Sequence, residues 1–321
     1  MAIRTKLCDL LGIRYPIMLA GMGGVAYAEL AAAVSEAGGF GTLGMAGRDP
    51  AFIRDEMRKV RDLTDKPFGV DLLAAVPSSL EAAADIIIEE GAAAFISGLG
   101  VPTAILAKLQ AAGLKVMNVC GTVRHAVSGA EAGLDAVIAQ GTEAGGHTGK
   151  VAGMALIPQI VDAVSIPVIA AGSIIDGRGL AAALALGAQG VWMGTRFIAS
   201  AEAHAGDLYK RVILDADDTD TIVTRCYSGK PMRVYRNPYV AEWETRPGEI
   251  KPFPMQAMLS HQSRVMGGIG GQIEGLDRDR SCFAMGQGAG GIKEVLSCRE
   301  IVERTMAEAE EVLGRLQALR G

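Results

Sequence analysis

A glycine-rich run with one histidine is the part of this sequence best equipped for chemistry. It covers residues 140–149 and reads QGTEAGGHTG. Because Gly145 and Gly146 carry no side chains, His147 has room to face a flat ligand, and its imidazole titrates near neutral pH, so it can accept or donate a proton. The alternative is a histidine that hydrogen-bonds only within its own loop, and the residues alone leave both open. Glu143 either orients the imidazole or stays a solvated carboxylate.

Two other loops combine glycine with a hydroxyl group. One holds Gly172 and Ser173, followed by DGRG at residues 176–179, and the other holds Gly194 and Thr195. Small residues let backbone N–H groups approach an anion, and a following helix N-terminus adds a favourable dipole. Tight turns alone would explain either loop, but the two loops together predict a phosphate site.

The remaining histidines and the cysteines give weaker signals. His125 is expected at the surface of a helix start, whereas His204 and His261 either line a substrate cleft or lie exposed. Cys120 ends a predicted strand and is interpreted as a small buried side chain. The four histidines and five cysteines show neither metal-ligand spacing nor a CxxC pair, so we expect no metal site and no disulfide framework.

A repeated phrase in the sequence predicts the scaffold that must bring these loops together. Five times a helix-like run ends in glycine and a short apolar strand follows. Glycine closes a helix in the left-handed conformation, and an apolar run is typical of a parallel strand buried on both faces. Three further apolar stretches complete a set of eight strand candidates, at residues 16–20, 40–43, 67–72, 93–96, 116–117, 136–138, 167–171 and 191–193.

Eight strand–helix units predict an α/β fold, the (β/α)8 TIM barrel, in which ligands bind at the C-terminal ends of the strands. The three loops described above all follow strand candidates, so they meet at that end. A doubly wound open sheet is the alternative. It is disfavoured because GMGG at residues 21–24, and not a GxGxxG motif, follows the first strand.

The amino-acid composition of the sequence changes after the eighth strand. Residues 203–280 hold a cluster of prolines, several charges and Met-rich stretches, whereas residues 297–319 have the apolar spacing of a final helix. We therefore predict a barrel built from residues 1–202 and 281–321, with a smaller substrate or lid domain inserted at residues 203–280.

The overall composition excludes several classes of function. The chain of 321 residues is 50% hydrophobic and has a formal net charge of −5, with no basic block interleaved with aromatic residues. Nucleic acid is therefore not an expected partner. The apolar runs are too short to span a bilayer, and the charged start has no secretory pattern. Together with the scattered cysteines, these features predict a cytoplasmic protein with no membrane partner.

Several motifs in order along the chain resemble the nitronate monooxygenase (2-nitropropane dioxygenase) family of FMN enzymes. They are YPIM at residues 15–18 with Gly21 and Met22, DKPFGV at 65–70, EAGGH at 143–147, IAAG at 169–172 with DGRG at 176–179, and MGTRF at 193–197. The resemblance implies a barrel with a lid, FMN in the barrel mouth and His147 as the catalytic residue beside the flavin. It also implies cofactor contacts from Ala20, Gly21, Met22, Asp71, Gln140, Gly145, Gly146, Ala171, Gly172, Ser173, Gly194 and Thr195.

The same motifs occur in FMN-dependent enoyl-thioester reductases, and two positions depart from the nitronate pattern. Asp71 stands where many family members have Asn, and Val119 stands where some nitronate and quinone enzymes have Lys. If it is ionised and unpaired, Asp71 places a negative charge near the flavin ring.

Three functions follow as hypotheses. The first is oxidation of alkyl nitronates with O2. The alternative is a flavin reductase that takes electrons from NAD(P)H, as a transient partner, and acts on enoyl thioesters of ACP or CoA or on quinones. In that case Arg233 and Arg236 contact a carrier phosphate, unless they are solvated surface residues. The third is a phosphate-binding barrel without redox activity. A homodimer is compatible with each of them.

Overall fold

The computed structural model describes residues 3–74 and 77–319. Residues 1, 2, 75, 76, 320 and 321 belong to the predicted barrel segments but lie outside the described residues. The described strands are β1 (Ile17–Leu19), β2 (Gly41–Gly44), β3 (Phe68–Leu73), β4 (Ala94–Gly98), β5 (Lys115–Cys120), β6 (Ala136–Gln140), β7 (Gly146–His147), β8 (Val168–Ala171), β9 (Val191–Met193), β10 (Thr221–Thr224) and β11 (Met232–Tyr235).

Helices alternate with most of these strands. They are α1 (Lys6–Leu11), α2 (Ala28–Glu36), α3 (Pro50–Leu63), α4 (Pro77–Glu89), α5 (Thr103–Ala111), α6 (Val123–Glu131), α7 (Gly153–Ala163), α8 (Gly177–Ala185), α9 (Thr195–Ile198), α10 (Asp207–Asp215), α11 (Pro238–Glu244), α12 (Met255–Gln262) and α13 (Cys298–Ala318). Short 3-10 turns lie at Pro247–Glu249, Gly267–Gly270 and Gln287–Gly291.

Eight parallel strands form the barrel, in the order β1-β9-β8-β6-β5-β4-β3-β2. A parallel bridge between Met18 and Phe40 joins the two ends of this sheet. The Leu19 N–H donates to the Phe40 carbonyl and the Phe40 N–H donates to the Ile17 carbonyl, each at 2.9 Å. The predicted (β/α)8 fold is confirmed, and all eight strand candidates coincide with barrel strands.

The glycines predicted at helix–strand junctions explain how each unit turns. All five have a positive φ, between 71° and 95°, namely Gly38, Gly91, Gly113, Gly133 and Gly187. A side chain in this left-handed region is strained, whereas glycine adopts it freely. Each helix can therefore end abruptly and return the chain to the barrel.

The core has two layers because the barrel strands are buried on both faces. Met18 and Ile138 point into the barrel interior, while their neighbours Leu19 and Val137 pack beneath the surrounding helices. Leu7, Cys8 and Leu11, from α1, belong to the interior cluster. These α1 side chains pack against the inward-facing side chains of the strands. The barrel interior is therefore a packed core and not a pore, as is usual for this fold.

The chain after β9 builds further structure over the barrel. Strands β10 and β11 pair antiparallel, and β7 adds to β11 as the third strand of a small sheet. Residues between Cys226 and Cys282 form a separate buried cluster, whereas Tyr209 and Val212 on α10 belong to the main barrel core. That residues 203–280 act as a lid domain stays a prediction.

In the part of the chain that the structure describes, no helix has both the length and the apolar character needed to cross a membrane.

Candidate functional site

A cavity of about 1100 Å³ opens at the C-terminal ends of the barrel strands. Every residue predicted from the sequence to belong to the site contributes to its lining. These are Ala20, Gly21, Met22, Asp71, Gln140, Gly145, Gly146, His147, Ala171, Gly172, Ser173, Gly194 and Thr195. The fold therefore brings together side chains that are separated by up to 175 positions, because each follows or ends a parallel strand.

The backbone of His147 is fixed from two sides. His147 forms β7 with Gly146 and pairs with Met232 on β11, in the segment that follows the barrel. From the barrel side, the Gln140 side-chain amide donates to the His147 carbonyl at 2.7 Å. Residues 140–149 therefore connect the end of β6 to the small sheet, and hydrogen bonds hold this segment in place from both sides.

The His147 imidazole has a defined partner. Its Nε2 lies 2.9 Å from Oγ of the buried Ser228. The Ser228 hydroxyl oxygen in turn lies 3.2 Å from both the backbone N–H and the carbonyl of Lys230. Burial, assisted by the positive charge of Lys230, lowers the pKa of His147 to about 4. The imidazole is therefore neutral at physiological pH, with one ring nitrogen unprotonated.

Glu143 has no hydrogen bond with this imidazole, and its half-buried carboxylate lies at the start of α7. Its carboxylate oxygens accept the Gly153 N–H at 3.0 and 3.1 Å, at the first residue of α7. Of the two alternatives from the sequence, the one in which Glu143 orients the imidazole is wrong, because the open N-terminus of α7 attracts the carboxylate. Ser228, which contacts the imidazole, was missed. Its only signal is the turn sequence SGKP at residues 228–231, and 81 positions separate it from His147.

The two predicted phosphate loops meet at the cavity, but their hydroxyls are engaged within the protein. Ser173 Oγ donates to the Glu143 carbonyl and accepts the Gly288 N–H, each at 2.9 Å. Thr195 Oγ1 accepts the Gly286 N–H at 3.0 Å. Within the described chain, the backbone N–H groups of Ser173 and Thr195 have no acceptor. An anion here would therefore be held by main-chain amides.

The helix that follows the second loop is shorter than the sequence suggested. Helix α9 has four residues, so it is a single turn and adds little dipole to the site. The other loop leads to α8, whose first turn is capped by Asp176, which accepts the Gly179 N–H at 3.1 Å. The sequence predicted a favourable helix dipole at each phosphate loop. Only α8, with nine residues, is long enough to provide one.

Asp71 has the most unusual environment in the cavity wall. Its Oδ1 is sealed from solvent and has no hydrogen-bond donor within the described residues. Burial raises the pKa of this carboxyl well above its ordinary range. The side chain packs against Gly21, where any Cβ atom would collide with it.

The weaker candidates from the sequence occupy various positions. His125 and His261 are exposed residues that border the cavity, whereas His204 packs against Tyr27 with ring centroids 4.8 Å apart. Cys120 is buried, as interpreted from the sequence, and burial raises the pKa of its thiol to about 12.

Arg233 is neither a surface residue nor a free phosphate ligand. It is buried, its Nε donates to the Thr142 carbonyl and its Nη1 donates to Thr221 Oγ1, each at 3.0 Å. The hypothesis that it contacts a carrier phosphate is wrong, because the side chain is buried and lies outside the cavity lining, where it ties β11 to the histidine loop. Arg236 is exposed.

Sequence comparison then settles the family. Residues 4–308 match the family model described as nitronate monooxygenase. The chain belongs to the nitronate monooxygenase family. This family member is 35% identical over 310 residues to a probable nitronate monooxygenase of Staphylococcus saprophyticus, with 82% of this chain and 87% of the relative covered.

Solved structures agree with this assignment. FabK from Thermotoga maritima is 40% identical to this nitronate monooxygenase family member, with 99% of each chain covered and a TM-score of 0.90. The nitroalkane oxidase from Streptomyces ansochromogenes is 30% identical, with 97% of this chain and 99% of that chain covered and a TM-score of 0.87. The protein is an oxidoreductase with an α/β barrel fold.

Proposed function

We propose that this family member binds FMN in the barrel mouth and oxidises alkyl nitronates with O2. The observation that carries the proposal is His147, a neutral imidazole held 2.9 Å from Ser228 on the wall of the large cavity. A neutral base at that place suits proton removal from the carbon next to a nitro group, or stabilisation of the resulting anion.

The residues present fit FMN. Ser173 and Thr195 offer main-chain N–H groups without acceptors to a phosphate, and Gly21 and Gly194, which line the same cavity, place no side chain in the path of a flat ring. Asp71 lines the same cavity, and its sealed Oδ1 lacks a donor in the described chain. We infer that the twelve cofactor residues named from the sequence hold FMN. When bound, FMN would accept electrons from the substrate and pass them to O2.

The protein's own side chains supply binding and proton transfer. His147 accepts or holds a proton at a ring nitrogen, while Ser228 restricts the rotation of the ring. Lys230 lines the same wall, half-buried, with its ammonium 4.8 Å from the Phe253 ring centre. Its positive charge attracts an anionic nitronate toward His147.

We infer that residues 203–280 serve as the lid. They contribute Ser228, Lys230, Phe253, Ala257 and Met266 to the cavity lining. Part of the cavity wall is thus made by the later part of the chain, which supports a substrate space between the barrel loops and this segment. Closure of this wall excludes water from the reacting atoms.

Replacement of His147 tests the proposed base. His147→Gln should keep FMN bound, because the phosphate loops lie elsewhere, and should lower turnover of nitroethane, which still carries its α proton, by about 10²–10⁴, the usual contribution of a positioned acid or base. His204→Gln, outside the cavity lining, serves as the matched control and should retain activity. Wild-type turnover in His147→Gln would show that the histidine only structures its loop.

Reduction of enoyl thioesters or quinones with NAD(P)H is the second candidate function. It is favoured by the 40% identity to FabK, over almost the whole of both chains. The two functions differ in what reduces the flavin. We expect anaerobic ethylnitronate to bleach the flavin absorbance of the purified protein faster than NADH or NADPH does. Faster bleaching by a nicotinamide would favour the reductase.

A further inference from the structure

Asp71 is the only carboxyl side chain among the described residues that line the cavity. It lies near the end of β3, in register with Gly44 on β2 and Ile96 on β4. Its backbone carbonyl accepts the Met45 N–H at 3.0 Å, but its Oδ1 has no donor in the described chain and no contact with solvent. The side chain therefore meets the cavity without any hydrogen-bond partner for that oxygen.

Among the described residues, no element packed against Asp71 offers a charge to balance its ionised form. Gly44, Ile96 and Gly21, which pack around it from β2, β4 and the loop after β1, do not titrate. The other titratable side chains of the cavity wall are His125, His147, Tyr209, Lys230 and His261. None of these groups shifts the pKa of Asp71, which is raised by burial alone.

A buried carboxylate without a cation or a donor is costly, because water that solvated the charge in the open is not replaced. The protonated acid avoids this cost and gains an O–H group that can donate a hydrogen bond. A flavin ring presents carbonyl and ring-nitrogen acceptors. A protonated carboxyl group in the wall of the flavin site can therefore donate a hydrogen bond to one of these acceptors, so that the acid and the flavin both gain a partner.

We propose that Asp71 keeps its proton at neutral pH and donates a hydrogen bond from its carboxyl group to the bound flavin. The inference rests on the proposed binding of FMN. It assigns to Asp71 the role of a neutral donor, the role that an Asn amide would fill at the same place. The ionised form would instead oppose reduction of the flavin by placing a negative charge beside it.

The test compares Asp71→Asn and Asp71→Ala with the wild type. The dissociation constant of FMN is measured by flavin fluorescence from about pH 6 to about pH 9, where a carboxyl with a raised pKa can titrate. Asn keeps a donor in nearly the same place, so we expect its affinity within about 2-fold of wild type, whereas Ala should bind about 10-fold more weakly. Wild-type affinity should fall as pH rises and the acid ionises, while Asp71→Asn stays flat.

Two further measurements keep the proposal falsifiable. The infrared spectrum of the wild-type holoenzyme at neutral pH should contain a carboxylic-acid C=O band that Asp71→Asn lacks. The flavin reduction potential should be unchanged in Asp71→Asn. Absence of the band, or a higher potential in Asp71→Asn, would show that Asp71 is ionised and overturn the inference. A colourless wild-type protein that binds no added FMN would instead overturn the proposed cofactor.

Discussion

The protonation state of His147 is set by its surroundings more than by its residue type. An ordinary histidine has a pKa near 6.5, so much of it carries a proton at mildly acidic pH. Here burial and the nearby Lys230 lower the pKa to about 4, and the neutral ring persists through the physiological range. The hydrogen bond with Ser228 also limits the directions in which the ring can present its nitrogens.

Titration of His147 by NMR tests this environment. We expect its ring signals, assigned by their loss in His147→Gln, to stay at the neutral position from about pH 7.5 to about pH 5 and to shift only as the pH approaches about 4. Lys230→Met removes a positive charge that disfavours protonation, so the midpoint should move upward. A wild-type midpoint near 6.5 would contradict the assignment of a buried neutral base.

At the scale of elements, the site depends on the contact between the histidine loop and the β10–β11 hairpin. Arg233 on β11 holds this contact through the Thr142 carbonyl and Thr221 Oγ1. The guanidinium is buried, so its hydrogen bonds are not shared with solvent. The hairpin therefore sets the position of His147, although it lies in a different part of the sequence.

Arg233→Met should loosen this connection. It leaves the Thr142 carbonyl without its donor, and we expect the free energy of unfolding to fall by about 1–3 kcal/mol, together with a lower turnover number. Arg236→Met, at an exposed position on the same segment, is the matched control and should change the stability by less than about 0.5 kcal/mol. Urea denaturation and steady-state kinetics give both values. Equal effects of the two substitutions would argue against the connection.

Gly145 marks a second contact between elements. A Cβ atom at this position would lie 2.7 Å from the Met285 carbonyl carbon and 2.8 Å from the Gly286 nitrogen, which are main-chain atoms that cannot easily move aside. Gly145→Ala should therefore displace the histidine loop and reduce both flavin occupancy and turnover. Gly314→Ala is the control, because position 314 in α13 has open space around it and alanine favours a helix by about 1 kcal/mol. Full activity in Gly145→Ala would be inconsistent with this packing.

At the scale of the whole molecule, the size and lining of the cavity limit the substrate. Its volume of about 1100 Å³ is at the upper end of ordinary ligand sites, which reach about 1,000 Å³, so it has space for a cofactor and more than a two-carbon nitronate. Phe253, Ala257, Met266 and Ile269 make part of the wall apolar. Met258 and Leu259 on α12 add exposed apolar surface on the same helix as Ala257.

A series of linear nitronates should report this apolar wall. Each added methylene that enters the cavity contributes about 0.8 kcal/mol, so we expect KM to fall by up to about 4-fold per carbon until the space is filled. Ala257→Trp fills part of the space and should remove the preference for longer chains while leaving ethylnitronate turnover less affected. A KM that does not change with chain length would show that the substrate does not contact this wall.

The sequence by itself determined the barrel and the loops that surround its mouth. Short apolar runs preceded by glycine are local physical requirements of a buried parallel strand and of a helix that must end abruptly, so they can be recognised without the structure. The order of these units then placed His147, Gly172 and Gly194 at one end of the barrel, where each contributes to the cavity. Motif resemblance led to the same family that the comparison establishes.

Only the tertiary structure decided how the site residues are arranged chemically. Ser228 meets His147 across 81 positions and Arg233 meets Thr142 across 91, and no local pattern encodes such contacts. The sequence left the role of Glu143 open, because the N-terminus of α7 that its carboxylate contacts is brought to it only by folding. The pKa directions of His147 and Asp71 depend on burial by distant segments. Protonation state is a property of the packed environment, so it is decided by the fold and not by residue type.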